Sequence, residues 1–289
     1  GGVGTGPQAV GRARNIYGPY EWRDVLVPTA DIKGPHQGGY VEAPSGQGWF
    51  LHFNSEGAFG RIDHLQPVKW VDDWPVMGDD GKPVSRHAVP DTGAHSDYRL
   101  QDSDEFSTAN LGLQWSWNHN PDTANWSLTE RPGWLRLRAG EAQSLTTAHN
   151  TLTQILQGPA MQTIVRLDIS HMADGQRAGL SLFGVKPVWI GVVRENGVSR
   201  IAYASAGVET PGPEITGQTV QLRAESLPDQ TSRFAYSLDG KTFIPFGDSL
   251  PLSQFSWWKG SRPALFTFNK NGANGAVDID WVHVMHEVK

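Results

Sequence analysis

Apolar and polar residues alternate along much of the chain, most regularly in its second half. In TVQLRAES, the apolar residues Val220, Leu222 and Ala224 are separated by polar ones, and this two-residue period is typical of a strand with one buried face. Similar runs recur at the spacing of a β-sandwich, in the segments WLRLRA, QTIVRLDIS, AGLSLFG, WIGVVRENGVSRIAYAS, SRFAYSLDGKTFIPF, PALFTFN and AVDIDWVHV. The turn sequences ENG, LDG and NKNG separate or split several of these runs. The pattern predicts a two-sheet β-sandwich.

The first part of the chain carries shorter predicted strands between turns rich in glycine and proline. The turn YGPY ends the first strand segment, PSGQG divides a hairpin, and DDWP follows GRIDHLQPVKW. A polar stretch over residues 85–107 is rich in Asp and Ser and has no apolar period, as expected of an interdomain linker. We therefore predict two all-β domains, residues 1–98 and residues 99–289, with the linker at the start of the second.

Composition narrows the classes of protein that fit this pattern. The 289 residues include 33 Gly, 19 Pro and no Cys, and the net charge is −6. The lack of basic clusters argues against nucleic acid as a partner, because binding to a phosphate backbone needs grouped Lys and Arg. No run reaches the roughly 18 apolar residues of a membrane helix, so no membrane partner is expected. The lack of cysteine leaves the compartment unknown, and we prefer the periplasm or the cell exterior to the cytosol.

Four stretches of the chain resemble successive segments of glycoside hydrolase family 43. They are GGVGTGPQAVGRARNIYGPYE, GPHQGGYVEAPSGQGWFLHF, GAFGRIDHLQPVKWVDDWPVMG and LGLQWSWNHNPDTANWSLTERPGWLRL, and the resemblance extends over essentially the whole chain. The family contains β-xylosidases and α-L-arabinofuranosidases. Members of this type have a five-bladed β-propeller that carries the active site, followed by a concanavalin-like β-sandwich. The resemblance therefore implies that residues 1–98 are the C-terminal part of the propeller and that residues 99–289 are the sandwich.

The resemblance also implies that the catalytic groups precede this chain. Family 43 enzymes hydrolyse glycosides with inversion, using one carboxylate as base and one carboxylic acid, and a third carboxylate tunes the acid. In the family pattern all three lie upstream of Gly1, so the chain alone is expected to be inactive. We interpret Asp31, Glu42, Glu56 and Asp63 as turn or strand-edge carboxylates. The expected protein partner is the N-terminal propeller fragment, or a second copy that pairs through open blade edges.

Two motifs match positions that the family places in the central cavity, and the first contains a histidine. His36, in GPHQGG, resembles the histidine at the propeller axis beneath the sugar site, which often contacts a hydrated calcium ion. The glycines around it let the backbone approach the axis closely. Because calcium prefers oxygen ligands, His36 would be one partner among waters, and calcium is the cofactor that the resemblance implies. The neighbouring Gln37 is a further candidate for sugar binding.

The second motif contains an arginine. Arg61, in GAFGRIDHLQP, resembles the arginine that the family projects into the subsite for the terminal sugar, where a planar guanidinium offers directional donors to hydroxyl groups. The alternative interpretations are a hydrogen-bonded core residue for His36 and a surface salt bridge for Arg61. His52 and His64 alternate with apolar neighbours on predicted strands, and we interpret both as packing residues.

Further aromatic and histidine residues have a structural and a functional interpretation. Four tryptophans are concentrated near the start of the predicted sandwich, at Trp115, Trp117, Trp126 and Trp134. They could stack on xylan in a binding module, but the first two share a strand face and would naturally pack inside. His283 and His286 have a spacing that a metal site could use on a helix. Because AVDIDWVHVM alternates as a strand, the two histidines should point to opposite faces, which argues against a shared ion.

Two functions remain open from the sequence. The first is the C-terminal part of a β-xylosidase or α-L-arabinofuranosidase that acts on plant cell-wall oligosaccharides or polysaccharides derived from xylan or arabinan. The second is a non-catalytic carbohydrate-binding or scaffold protein that uses the β-sandwich. Xylose and arabinose are both pentoses, and the contacts that would discriminate them lie largely in the blades upstream.

Overall fold

The computed structural model describes residues 5–93 and 101–286. The first residues of the GGVGTG segment and the predicted domain boundary at residues 98 and 99 lie outside them. The described residues form strands and short 3-10 turns, without an α-helix, so the all-β prediction is confirmed. No helix in the described part of the chain is long and apolar enough to span a membrane. The chain divides into two compact units, one of Gly1–Glu56 with Arg61–Tyr98 and the other of Gly57–Gly60 with Arg99–Lys289.

The first unit contains two antiparallel sheets. Its strands are β1 (Gln8–Arg12), β2 (Glu21–Leu26), β3 (Gln37–Glu42), β4 (Gly48–Ser55), β5 (Arg61–Val71) and β6 (Trp74–Met77). Strands β1 and β2 form a hairpin, and β3 to β6 form a four-stranded sheet in sequence order. A four-stranded up-and-down sheet is the arrangement that propeller blades use. The propeller itself stays a prediction.

Local chemistry explains how the strands of the first unit turn and pack. The β5–β6 turn is made by Asp72 and Asp73, with φ of 51° and 61°, and positive φ at both central residues is the geometry that joins two twisted strands tightly. Six buried side chains form the core, at Val25, Leu26, Phe50, Val68, Trp74 and Met77. The amide of Gln66 accepts from the backbone N–H of Val84 at 2.8 Å and donates to its carbonyl at 3.2 Å. This pair of bonds ties the chain after β6 to the sheet.

One face of the β3–β5 sheet leaves apolar side chains in solvent. Val41, Leu51 and Leu65 are 52%, 48% and 37% exposed, and Leu51 lies directly opposite Leu65 in the strand register. Strands of a stable sheet normally bury one face. This apolar face is therefore a surface suited to contact with further protein.

The residues between β4 and β5 pack in the second unit, although the predicted first domain included them. The 3-10 turn η1 (Gly57–Phe59) places Ala58 there without solvent exposure. The N–H of Ala58 donates to Gln230 Oε1 at 3.0 Å, and its carbonyl accepts from the N–H of Ser261 at 2.7 Å. A Cβ atom on Gly60 would lie 2.5 Å from the nitrogen of Gly260, so the close approach of the two backbones requires glycine. Residues 57–60 therefore belong to the second unit, because they are held there by burial and by hydrogen bonds to residues far away in the sequence.

The described residues of the second unit form sixteen further strands in two sheets. They are β7 (Ser116–Trp117), β8 (Trp126–Ser127), β9 (Leu135–Arg138), β10 (Gly140–Glu141), β11 (Leu152–Thr153), β12 (Met161–Asp168), β13 (Gln176–Phe183), β14 (Val188–Glu195), β15 (Val198–Ser205), β16 (Val208–Glu214), β17 (Thr219–Ser226), β18 (Thr231–Ser237), β19 (Ile244–Pro245), β20 (Leu250–Pro251), β21 (Arg262–Asn269) and β22 (Ala276–Met285). A second 3-10 turn, η2 (Thr123–Asn125), precedes β8.

The two sheets of the second unit face each other. One has the order β16-β15-β14-β13-β21-β11-β7, with β10 beside β21, and the other has the order β19-β18-β17-β12-β22-β9-β8, with β20 beside β18. Val220, Leu222 and Ala224 of β17 are buried in the core between the sheets, as their alternation predicts. Leu180 of β13 and Ile190 of β14 reach the same core from the other sheet. The prediction of a two-sheet sandwich is confirmed.

The tryptophans near the start of the sandwich pack rather than project. Trp115, Trp117 and Trp126 are partly buried against the main core. The indole N–H of Trp115 donates to Asp104 Oδ2 at 2.7 Å, and the indole rings of Trp117 and Trp126 have centroids 5.3 Å apart. Trp134 instead lies under the guanidinium of Arg131, at 3.6 Å. These contacts support the structural interpretation of the cluster.

The two histidines of HVMH bind two different carboxylates. His283 Nε2 lies 2.6 Å from Glu105 Oε1, and His286 Nε2 lies 2.7 Å from Asp102 Oδ2. Burial alone would raise the pKa of Asp102, but the hydrogen bond from His286 helps to lower it. The pairs attach the start of the second unit to β22, and no group of three or more potential metal ligands occurs among the described residues.

A buried carboxylate joins three strands of the second sheet. Asp278 of β22 is completely buried and accepts hydrogen bonds from Arg136 of β9 at 2.7 Å and from Arg131 at 2.8 Å. Arg131 also donates to Asp168 at the end of β12, at 2.8 Å. Burial acts to raise the pKa of Asp278, but the hydrogen bonds from Arg136 and Arg131 outweigh it and lower that pKa.

Replacement of this carboxylate tests its role in the second unit. We expect Asp278→Asn to lower the free energy of unfolding by about 3 kcal/mol, because two guanidinium groups lose the buried charge that pairs them. Urea unfolding followed by far-UV circular dichroism measures the change. The control is Glu214→Gln, which breaks an exposed pair with Arg200 at 3.2 Å and should cost about 0.5 kcal/mol or less. Equal effects of the two substitutions would contradict a special role for Asp278.

Candidate active-site residues

The residues predicted from the two family motifs lie at one end of the four-stranded sheet in the first unit. His36 immediately precedes β3, and Gln37 is the first residue of β3, opposite Phe53 of β4. Arg61 is the first residue of β5, opposite Ser55 of β4. Because β4 lies between β3 and β5, the last residues of β4 bring the two motifs together.

Phe53 is the residue that His36 and Arg61 share. The imidazole of His36 stacks on the ring of Phe53, with centroids 5.0 Å apart and an angle of 22° between the planes. The guanidinium carbon of Arg61 lies 4.2 Å from the centroid of the same ring, within the range of a cation–π contact. The backbone N–H of His36 also donates to the carbonyl of Phe53 at 3.0 Å. His36 is half-buried, whereas Gln37 and Arg61 are exposed.

Sequence reasoning missed Phe53. It ends the GWFLHF run, where an aromatic residue in an alternating strand is expected to pack into a core. Only the register of β3, β4 and β5 places its ring between the two motifs. The available signal was its position opposite Gln37 in the predicted hairpin.

Two glycines near His36 lie very close to neighbouring atoms, whereas the predicted approach to a propeller axis stays a prediction. Gly34 is buried, and a Cβ atom at this position would lie 2.1 Å from the carbonyl oxygen of Gly6. A Cβ atom on Gly38 would lie 2.5 Å from Cζ of Phe50 and 2.6 Å from the carbonyl oxygen of Leu51. A Cβ atom at either position would force neighbouring atoms to shift.

The donor chemistry around His36 limits what it can hold. Calcium takes six to eight oxygen ligands, and the imidazole of His36 stacks on the apolar ring of Phe53. The described residues contain no group of three or more His, Asp or Glu side chains suited to a metal. The described residues around His36 therefore do not form a protein-built calcium cage, and the hydrated calcium ion stays a prediction.

The carboxylates of the first unit occupy turn and strand positions. Glu56 pairs with Lys33 at 3.1 Å, and Glu42 accepts from the hydroxyl of Tyr40 at 3.3 Å. Asp31 lies in an exposed bend before β3, and Asp63 lies opposite Phe53 on β5. These placements agree with their interpretation as turn or strand-edge groups.

His52 and His64 are packing residues, as their alternation indicates. They lie directly opposite each other on β4 and β5, with ring centroids 5.2 Å apart and planes 19° from parallel. Phe50 stacks on His52 from the other direction, at 5.6 Å. Burial of His52, aided by the neighbouring His64, lowers its pKa from 6.5 to about 4. His52 is therefore neutral at physiological pH.

An exposed aromatic loop in the second unit was not singled out from the sequence. The loop SQFSWWKG leaves Phe255, Trp257 and Trp258 51%, 41% and 56% exposed. Both tryptophans have positive φ, of 52° and 64°, a conformation that bulky residues rarely adopt. Phe255 and Trp258 meet edge to face at 5.3 Å, and Trp257 stacks on Phe183 at 6.0 Å. Backbone strain of this kind is concentrated at functional positions.

Comparison with known proteins places the second unit in a described domain family. Residues 103–285 match the family model described as the beta xylosidase C-terminal concanavalin A-like domain. The match lies entirely within the two-sheet unit and covers more than half of the chain. The prediction of a concanavalin-like sandwich is confirmed.

Relatives and solved structures extend the similarity to both units. A β-xylosidase from Formosa agariphila is 36% identical over 303 residues, which cover 92% of this chain and 51% of that protein. A bifunctional GH43-CE protein from Bacteroides eggerthii superposes with a TM-score of 0.86 at 36% identity, covering 97% of this chain and 37% of its own. A GH43 glycoside hydrolase engineered to display endo-xylanase and exo-arabinofuranosidase activity superposes with a TM-score of 0.87 at 30% identity. The match covers 98% of this chain and 61% of that chain. The chain spans about half the length of the curated relatives it matches.

The lowered pKa of His52 gives a pH dependence that can be measured. Because the folded-state pKa of about 4 lies below the ordinary value of 6.5, the unfolded chain binds this proton first as the pH falls. The contribution of His52 to the free energy of unfolding of the first unit should be fully present above pH 6.5. It should be lost as the pH falls from 6.5 to 4. The free energy of unfolding should change with pH through this group by at most about 1.4 kcal/mol per pH unit.

Urea unfolding across this pH range, followed by tryptophan fluorescence, tests the assignment. In His52→Phe the slope should be shallower, because no proton is taken up at this position on unfolding. The control is Arg23→Gln, which alters an exposed side chain of the same unit that does not titrate between pH 4 and 6.5, and it should leave the slope unchanged. An unchanged slope in His52→Phe would show that other groups produce the pH dependence.

Proposed function

The chain belongs to glycoside hydrolase family 43, and from this membership we propose that it is the C-terminal part of a β-xylosidase or α-L-arabinofuranosidase. Its substrates are then glycosides derived from xylan or arabinan. The observation that carries the proposal is the meeting of His36 and Arg61 on the ring of Phe53, since each stands in a motif that resembles the family's sugar-binding region.

In this proposal Arg61 binds the terminal sugar. Its guanidinium lies over Phe53, which restricts the orientation of the planar group, and a guanidinium offers directional N–H donors to sugar hydroxyls. Gln37 is exposed beside it on β3 and adds an amide donor and acceptor. His36 supports a hydrated calcium ion, whose positive charge would act electrostatically on nearby carboxyl groups.

The catalytic carboxylates come from further protein in this proposal. An inverting glycosidase needs a base for water and an acid for the leaving group, separated by about 6.5–9.5 Å. The supporting observations are the length of the relatives, about twice that of this chain, and the apolar face of β3–β5 at Val41, Leu51 and Leu65. Burial of that face against more propeller strands would remove it from water. Alternatively, a second copy of the chain would cover this face.

Release of 4-nitrophenol tests the proposal directly. We expect no hydrolysis of the β-D-xyloside or the α-L-arabinofuranoside by the chain alone, and hydrolysis when it is mixed with the N-terminal half of a family relative. The substrate that is hydrolysed identifies the specificity. Hydrolysis by the chain alone would contradict the external origin of the carboxylates. Lack of hydrolysis in the mixture, with glycan binding retained, would favour the binding protein.

A substitution of Arg61 tests its role in the active mixture. We expect Arg61→Lys to lower kcat/KM by about tenfold or more, because lysine keeps the charge and loses the planar set of donors. The matched control is Arg23→Lys, at an exposed position on β2 of the same unit, and it should retain full activity. Equal kcat/KM values for the two variants would remove Arg61 from the sugar site.

The non-catalytic carbohydrate-binding function is favoured by one separate observation, the exposed aromatic loop at Trp257 and Trp258. Exposed aromatic rings provide apolar faces for contact with sugar rings. Under this alternative the chain binds xylo-oligosaccharides without any second protein. Trp258→Ala should weaken that binding about three- to tenfold in isothermal titration calorimetry. Trp70→Ala, which removes an exposed tryptophan of the first unit, is the control and should bind normally.

A further inference from the structure

The outer face of the second sheet contains an open groove that the proposed active site does not use. The groove has a volume of about 840 Å³ and crosses β18, β17, β12 and β22. Arg233, Glu225, Gln162 and Met285 form one row across these strands in the register. Arg223 lies two residues before Glu225 on β17, on the same outward face, because Leu222 and Ala224 point into the core. One strand register thus assembles the groove from four adjacent strands.

Three side chains in the groove offer hydrogen-bond donors. The guanidinium of Arg223 lies 4.9 Å from the ring centroid of Phe243, and its Nε is 3.2 Å from Glu225 Oε1. These two contacts restrict the orientation of the guanidinium, and the contact with Glu225 engages its Nε atom. No residue that the structure describes accepts a hydrogen bond from the terminal nitrogens of Arg223, from the guanidinium of Arg233 or from the amide of Gln162. The donors therefore converge on an open space rather than on each other.

The charges that line the groove are unequal. Arg223 and Arg233 contribute two positive charges and Glu225 one negative charge. His286, at one end, is engaged with Asp102 at 2.7 Å. The described lining residues therefore carry an excess of about one positive charge, which a single carboxylate on a ligand would neutralise. Guanidinium groups bind carboxylates through paired, directional N–H donors.

Apolar atoms complete the lining. Met285, Val284 and Pro245 border the groove beside the polar groups, and Met285 is 45% exposed. Surfaces of this kind match the C–H faces of sugar rings, whereas a small inorganic anion would leave most of the 840 Å³ unfilled. A ligand with one anionic group and several rings would match both the charge and the size of the groove.

We propose that this groove binds an acidic oligosaccharide, a short sugar chain that carries a uronic acid. Arg223 and Arg233 together hold the carboxylate, Gln162 bonds to ring hydroxyls, and Met285 contacts a sugar face. The choice of a sugar acid among carboxylate ligands rests on the glycosidase proposal. The groove is then a second glycan site that holds an acidic branch of the polysaccharide on the sandwich unit.

Isothermal titration calorimetry with the full chain tests the groove. The probes are xylotetraose with one glucuronic acid branch, unbranched xylotetraose and inorganic phosphate. We expect the branched probe to bind at least about tenfold more tightly than the other two, the difference expected of a hydrogen-bonded charge pair. Its affinity should fall as salt is added. Equal binding of the two oligosaccharides, or equal binding of phosphate, would overturn the proposal.

Matched variants locate the binding. Arg233→Gln should lose the preference for the branched probe, and Arg223→Gln should do the same if its thermal unfolding is unchanged. Arg233 is exposed, so its substitution should leave the fold intact. The control is Arg200→Gln on the opposite sheet, an exposed arginine paired with Glu214 at 3.2 Å, and it should keep the preference. A loss of preference in Arg200→Gln as large as in Arg233→Gln would overturn the assignment.

The binding measurement is independent of hydrolysis. Selective binding of the acidic probe without hydrolysis in any mixture would sustain the groove while removing the glycosidase proposal. Hydrolysis of the nitrophenyl substrates without selective binding would remove the groove alone. The two proposals can therefore fail separately.

Discussion

The need to bury one face of every strand is the constraint on which this structure depends. In the second unit, each of the two sheets covers the apolar face of the other. Leu222 of β17 and Leu180 of β13 lie in the common core between them. The four-stranded sheet of the first unit buries one face on Val25 and Leu26 and leaves Leu51 in solvent on the other. The same physical rule gives a closed sandwich in one unit and an apolar surface in the other. That surface supports the proposal that further strands complete the active site.

The aromatic ring of Phe53 is the contact that the two candidate side chains share. Phe53 holds His36 by stacking and Arg61 by a cation–π contact, so one apolar side chain positions two polar ones. A cation–π contact restricts the orientation of a guanidinium relative to the face of the ring. The proposed role of Arg61 in sugar binding rests on this contact together with the family membership.

Charged groups in the second unit differ according to their burial. Asp278 is fully buried, and two arginines satisfy it, as low-dielectric surroundings require. Arg223 and Arg233 border an open groove, where water can solvate donors that have no protein acceptor. A buried network of the first kind stabilises the fold, and exposed donors of the second kind remain available to a ligand. This contrast is the reason to assign binding to the outer face of the second sheet.

The sequence by itself determined the fold class and much of the second unit. The alternation of Val220, Leu222 and Ala224 specifies which side of β17 is buried, because side chains two residues apart share a face. The family motifs likewise pointed to His36 and Arg61. These features depend on near neighbours in the chain or on motifs of a few residues, so they can be read without coordinates.

Only the tertiary structure decided how distant residues combine. The segment at Ala58 bonds to Gln230 and Ser261 and so joins the second unit, although its neighbours in sequence belong to the first. Phe53 became part of the site through strand register, and Arg223, Gln162 and Arg233 met in one groove in the same way. Such contacts depend on pairing between strands far apart in the chain. Their partners are chosen by burial and hydrogen bonding in the folded protein, which no local pattern records.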